Sequence, residues 1–223
     1  MITARPHTVI HRNSESGLLV TVDGPGGVGK SSTVAETAVY LRRAGVPVHA
    51  TSQPSRSTLG GFVRAHADTY AGMALACLVA ADRHHQQTTE IEPELAAGHV
   101  VLCDRYLPSS LVLQVLDGVP PGTVWALNTG VRTPDAAVFL RADPRMISDR
   151  LRARGAHSRF ETDPASTVRE LELFDAVADE LRARGWPVLV IDCTQLLPCE
   201  TALVVANVIV PRLGDDVLTR PAT

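Results

Sequence analysis

Short apolar runs recur along the chain at 18–22 (LLVTV), 46–50 (VPVHA), 100–103 (VVLC), 136–140 (AAVFL) and 188–191 (VLVI), and the segments between them carry helical spacing. Runs of four or five residues with few polar positions suit strands covered on both faces, and the stretches between them, 32–43 first, suit helices. That alternation predicts an α/β fold, a parallel five-stranded sheet flanked by helices, with ligands at the carboxyl ends of the strands. No internal repeat or low-complexity linker interrupts it, so the 223 residues read as one domain. Residues 1–16 read as a loose arm, and the polar stretch after Pro211 as a frayed end.

Composition narrows the function classes. A net charge of -3 and a pI near 6.2 argue against a nucleic-acid or membrane-surface binder, which needs a basic excess to attract phosphates or anionic lipid. Any basic site is therefore local. Cys77, Cys103, Cys193 and Cys199 show no zinc or redox spacing and read as reduced core thiols. The first residues lack the apolar run of a signal peptide, and no stretch approaches the roughly 20 apolar residues of a membrane span, so the expected location is cytoplasmic.

The chemistry begins at GPGGVGKS, 24–31, which fits G-x-x-x-x-G-K-[ST] between the first strand and the first helix. Gly24, Gly26, Gly27 and Gly29 let the backbone N–H groups, with those of Val28, Lys30, Ser31 and Ser32, curl around a phosphate at a helix N-terminus. Lys30 would bridge the β- and γ-phosphates of ATP, Ser31 would ligate Mg²⁺, and Asp23 at the strand end could hold one of its waters. A glycine-rich turn without a ligand is the competing reading, and the Lys and Ser in register argue against it.

Downstream come AADRHHQ (80–86), VVLCDRYLPSSLVLQ (100–114) and DRLRARGAHSRFE (149–161). Here the chain resembles the thymidylate kinases, P-loop NTPases that phosphorylate a nucleoside monophosphate, from about Leu18 to the final helix. The resemblance implies that Asp104 lies near Mg²⁺ and that Arg105 grips the acceptor phosphate with help from Arg64. It also implies that Arg83 reaches the acceptor base, that Ser109, Ser110 and Asp23 belong to the acceptor side, and that the protein is a homodimer. Physics agrees, since transfer between two polyanions needs cations to offset their repulsion. Arg150, Arg152, Arg154 and Arg159 surround Gly155, and an arginine-rich lid over about 150–162 is expected to close over the transferred group; Arg154 and Arg159 are its catalytic candidates. A solvated helix face is the plainer reading for Arg150 and Arg152.

Three positions depart from the family pattern. Gly26 stands where the family carries an acidic loop residue that meets the acceptor sugar, Val79 where a Phe stacks on thymine, and Leu113 where a Tyr crowds the 2′ position. Val28 stands where some members have a basic residue, and Gln53-Pro54 replaces a Glu-Pro turn. The expected activity is ATP- and Mg²⁺-dependent transfer to a phosphate monoester, most simply a nucleoside monophosphate, with thymidylate in doubt. A kinase of this fold recruited to a specialised small molecule and a nucleotide-binding regulator without an acceptor are the alternatives. Adjacent His84 and His85 diverge on a helix and do not chelate together. Tyr40, Trp125 and Trp186 read as packing residues, and Tyr70 and Tyr106 as borders of the acceptor cleft.

Overall fold

The computed structural model describes residues 17–154 and 164–213. Five strands, β1 (Leu18–Asp23), β2 (Val48–Ser52), β3 (Val100–Asp104), β4 (Ala136–Arg141) and β5 (Val188–Asp192), form one sheet in the order β2-β3-β1-β4-β5. Every pairing is parallel. Between them run α1 (Lys30–Arg43), α2 (Thr58–Ala65), α3 (Gly72–Gln86), α4 (Glu92–Ala96), α5 (Leu107–Leu116), α6 (Pro121–Leu127), α7 (Pro144–Arg154) and α8 (Pro164–Ala183), and α9 (Pro198–Ile209) follows β5. A π-helical turn, Gln87–Ile91, joins α3 to α4.

Strand β1 is buried at every position, and its side chains alternate between two cores. Leu18, Val20 and Val22 join Val34, Ala38 and Leu41 of α1 and Val205 and Ile209 of α9. Leu19 faces the other way, with Val101, Cys103 and Phe139, toward α5 and α8. This places the carboxyl end of the most buried strand between α1, which carries the donor loop, and α5.

Strand β2 begins at Val48, two residues later than the apolar run suggests. Val46 spends its amide on Leu41 O at 3.0 Å, closing the turn after α1, and Pro47 has no N–H, so pairing starts with Pro47 O accepting from Val100 at 2.9 Å. Of the expected lid over about 150–162, residues 150–154 are the last turns of α7, and the remainder, with Arg159, lies outside the described residues, as do 1–16 and the end beyond 213. Two thiols leave the expected core, Cys77 on the outer face of α3 and Cys199 in the first turn of α9. Tyr40 is likewise solvent-facing, 44% exposed on α1. Trp125 and Trp186 pack against the α5–α8 core, Trp125 also donating to Glu180 at 3.1 Å.

Candidate active site

The donor loop leaves β1 at Gly24, where φ is +144° and a Cβ would sit 2.4 Å from Leu140 O. Only glycine fits there. At Gly27, φ +76°, a Cβ would press on Leu151 of α7 at 2.9 Å, so the loop and α7 are in contact. Val28, the position some relatives fill with a basic residue, turns its side chain into the core at 2% exposure and offers the site only its backbone. Its carbonyl accepts from Arg150 Nη1 at 3.2 Å. Arg150 thus belongs to the donor side. A cavity of about 600 Å³ opens above the loop, lined by residues 27–33 together with Asp104, Arg105, Arg150, Cys193, Leu196 and Pro198.

Lys30 is 5% exposed, and its Nζ donates to the Gly24 and Pro25 carbonyls at 2.9 and 2.7 Å. Burial, and then the nearby Arg105, lower its pKa to about 7. Ser31 Oγ donates to Asp104 Oδ2, while Asp104 Oδ1 is buried with no hydrogen-bond partner among the described residues. A hydroxyl beside a carboxylate with an unused oxygen is a hard-donor pair that fits Mg²⁺.

Asp104 ends β3, and Arg105 follows in the left-handed region, φ +69°, with its amide held by Val22 O at 2.9 Å. For an arginine that conformation costs energy, and it persists because β1 and α5 fix the residues around it. Arg105 Nη1 is buried and lacks a partner among the described residues. Asp23 at the end of β1 reaches α5 with one of its two oxygens, while the other, Oδ2, is buried with no hydrogen-bond partner among the described residues. Its Oδ1 accepts from the Tyr106 amide at 2.9 Å and from the Ser109 amide and hydroxyl at 3.1 and 2.7 Å, capping α5. Burial raises its pKa, the Ser109 and Tyr106 bonds opposing.

A second cavity, about 370 Å³, lies on the other side of Asp104 and Arg105. It brings together Arg64, Val79, Arg83, Arg105, Ser109, Ser110 and Leu113, which the sequence places on three separate segments. Tyr106 also borders it, with its hydroxyl on Arg132 O at 3.1 Å. Tyr70 does not line it; it packs against Phe62 and His66. Arg64 is exposed and donates to Pro54 O. Arg83 is 2% exposed and already engaged. Its Nε meets Gln53 Oε1 at 2.8 Å, Nη1 meets Asn128 Oδ1, and Nη2 meets Ser110 Oγ at 2.6 Å and Tyr106 O at 3.3 Å. It therefore faces the cavity as a clamped group. His84 donates to or accepts nothing from His85 and instead meets Leu127 O at 3.0 Å.

Two residues were not anticipated. Gln114 is 5% exposed in this second cavity, and its Oε1 has no partner among the described residues. Its signal was available, because Gln114 follows Ser110 by one helical turn on α5. Glu170 of α8, 5% exposed, holds the Gly26 amide with both oxygens, at 3.3 and 3.4 Å. Gly26 lines neither cavity.

Comparison with known proteins agrees with this geometry. The thymidylate kinase family model matches residues 22–195. The chain belongs to the thymidylate kinase family. It is 37% identical over 178 residues to a probable thymidylate kinase of Caldivirga maquilingensis, covering 77% of this chain and 84% of that protein. A probable thymidylate kinase of Pyrobaculum calidifontis is 34% identical over 176 residues, 77% of this chain and 86% of its own. A thymidylate kinase of Xanthomonas oryzae pv. oryzae is 34% identical over 149 residues, 66% of each chain. The protein is accordingly an ATP-dependent nucleoside monophosphate kinase. Among the described residues, no helix is long and apolar enough to cross a membrane.

Proposed function

We propose that this thymidylate kinase homologue moves the γ-phosphoryl group of ATP onto the phosphate of a nucleoside monophosphate seated in the 370 Å³ cavity, and that thymidylate is a weak acceptor. The observation that carries this reading is that Asp104 and Arg105 line both cavities, so donor and acceptor meet at one wall. Both substrates bring negative charge to that wall. Lys30 would answer it on the donor side, Arg105 between the two and Arg64 on the acceptor, with the guanidinium forks taking phosphate oxygens in pairs. Ser31 and Asp104 would hold Mg²⁺, which supplies charge neutralisation on the transferring phosphates. Arg154 and Arg159, whose side chains lie outside the described residues, are proposed as further cations for the transferring group.

Val79 and Leu113 support the acceptor assignment. Both line the cavity, and neither offers an aromatic face, so the base would be held by packing and by the Gln114 amide, with little discrimination between ribose and deoxyribose. A specialised small phosphate ester would fit the same wall. A regulator without an acceptor would have no use for the buried, unpartnered Arg105 Nη1. We further propose a cytoplasmic homodimer. Met73, Cys77 and Ala81 are exposed at i, i+4 and i+8 on α3, an apolar face suited to a second copy.

The test is ATP consumption against a panel of nucleosides, nucleoside monophosphates and small phosphate esters. Turnover of one or more monophosphates other than thymidine monophosphate, and none of the nucleosides, is expected. Efficient turnover of thymidine monophosphate, at or above about 10⁴ M⁻¹s⁻¹, would overturn the weak-acceptor reading.

A further inference from the structure

Arg83 is a buried cation whose partners, Gln53, Asn128, Ser110 and the Tyr106 carbonyl, are all uncharged. Asp23 and Asp82 act on its charge through space, and two amides tie it by hydrogen bonds to a third carboxylate. Gln53 accepts from Arg83 Nε with Oε1, at 2.8 Å, and donates with Nε2 to Gln86 Oε1, at 3.0 Å. Gln86 in turn presents Nε2 to Thr51 Oγ1 at 2.9 Å, Ser52 O at 3.2 Å and Glu90 Oε2 at 2.9 Å. The other Glu90 oxygen meets His49 Nε2 at 2.8 Å.

The orientation of each amide is dictated by its ends. An arginine Nε only donates and an ionised carboxylate only accepts, so the chain can run in one direction. Flipping Gln53 would point its N–H at Arg83 and its oxygen at Gln86 Oε1. Flipping Gln86 would set its oxygen against Glu90. Each flip loses at least two bonds in a buried place, where unmet polar groups cost most. Glu90 reaches this position from the π-helical turn Gln87–Ile91, whose wider coil is a feature often found beside functional sites. Burial acts to raise the Glu90 pKa, but bonds from Thr51, His49 and Gln86 outweigh it and keep the carboxyl below its ordinary range. The far end of the chain stays anionic.

We propose that Gln53 and Gln86 are positioning residues of the acceptor site: they aim the Arg83 guanidinium at the cavity and tie it by hydrogen bonds to the Glu90 carboxylate. The proposal rests on the second cavity being the acceptor site. It accounts for two glutamines buried at 6% and 1% exposure, which no apolar core would retain without a partner for each end.

The test is steady-state kinetics of the full chain with ATP and, as acceptor, the nucleoside monophosphate that wild type turns over best in the panel above. Gln86→Met keeps the volume and removes the relay. It should raise the KM for that acceptor about tenfold and leave the ATP KM within about twofold. Glu90→Gln, at the partly exposed end, should raise the same KM about threefold without threatening the fold. Adding Gln53→Glu to Gln86→Met places a carboxylate directly on Arg83 and should bring the acceptor KM back to within about threefold of wild type. An unchanged acceptor KM in both single variants, equal changes in both KM values, or no rescue in the double variant would each overturn the positioning role. Absence of wild-type turnover with every nucleoside monophosphate would instead overturn the acceptor assignment, and the positioning role with it.

Discussion

Asp23 Oδ1 accepts the Tyr106 amide at 2.9 Å, so the carboxylate that ends β1 caps the helix that opens the acceptor cavity. Its Oδ2 has no partner among the described residues. An asparagine could therefore keep the cap while placing its NH₂ where nothing is displaced. Asp23→Ala should cost about 2 kcal/mol by stranding two buried amides, or roughly 5 °C in thermal midpoint, and Asp23→Asn should cost clearly less. Calorimetric unfolding of the two variants checks the order.

Lys30 sets a proton balance. With its pKa held near 7 in the empty loop, chiefly by burial, about half the molecules carry a neutral amine at neutral pH. Bound polyphosphate favours the charged form, so ATP binding should take up close to one proton at about pH 8 and almost none at about pH 6. Calorimetric titration in two buffers of different ionisation enthalpy measures this. The same site makes folding less favourable below pH 7, and the penalty fades as pH rises toward the ordinary lysine value of 10.5. Lys30→Ala should abolish turnover, remove the proton uptake and keep the fold.

Arg105 lines both cavities, and a point charge there would lack its fork. Arg105→Lys should lower kcat by about 100-fold while leaving ATP affinity within a few-fold, because the lost bidentate contact is made where the two phosphates meet. Single-turnover kinetics separates the two effects.

Acceptor choice should respond to the cavity wall. Val79→Phe with Leu113→Tyr should raise kcat/KM for thymidine monophosphate by about tenfold or more, above the gain from either change alone, since both side chains line one cavity. Adding Gly26→Asp should reduce that gain. The structure holds the Gly26 amide against the Glu170 carboxylate, and a second carboxylate there meets a like charge.

The parts legible in the sequence are those whose residues lie close together in it. Residues 24–31 are one short loop of chain, and the roles proposed for Lys30 and Ser31 follow from spacing alone. Arg64, Val79 and Leu113 were reached only through family resemblance, and the structure does bring them to one cavity. What spacing cannot carry is direction. Asp23 sits at the strand end expected of a metal role, but nothing local says that its Oδ1 caps α5, 83 residues away. Glu170 meets Gly26 across 144 residues, and the Gln53–Gln86 contact depends on which way two amides face. The two-residue delay of β2 follows from Pro47, a local signal that the apolar run overshadowed.

The sheet order also ranks the two halves of the site by how readily they should come apart. Strand β1 is central and buried on both faces, whereas β2, which leads to Gln53 and Pro54, is an edge. Amide hydrogens of 18–23 should exchange only through global unfolding, and those of 48–52 through smaller openings. A population that has let go of the outer strand would still hold the nucleotide loop, so ATP can remain seated while the acceptor side dissolves and reforms.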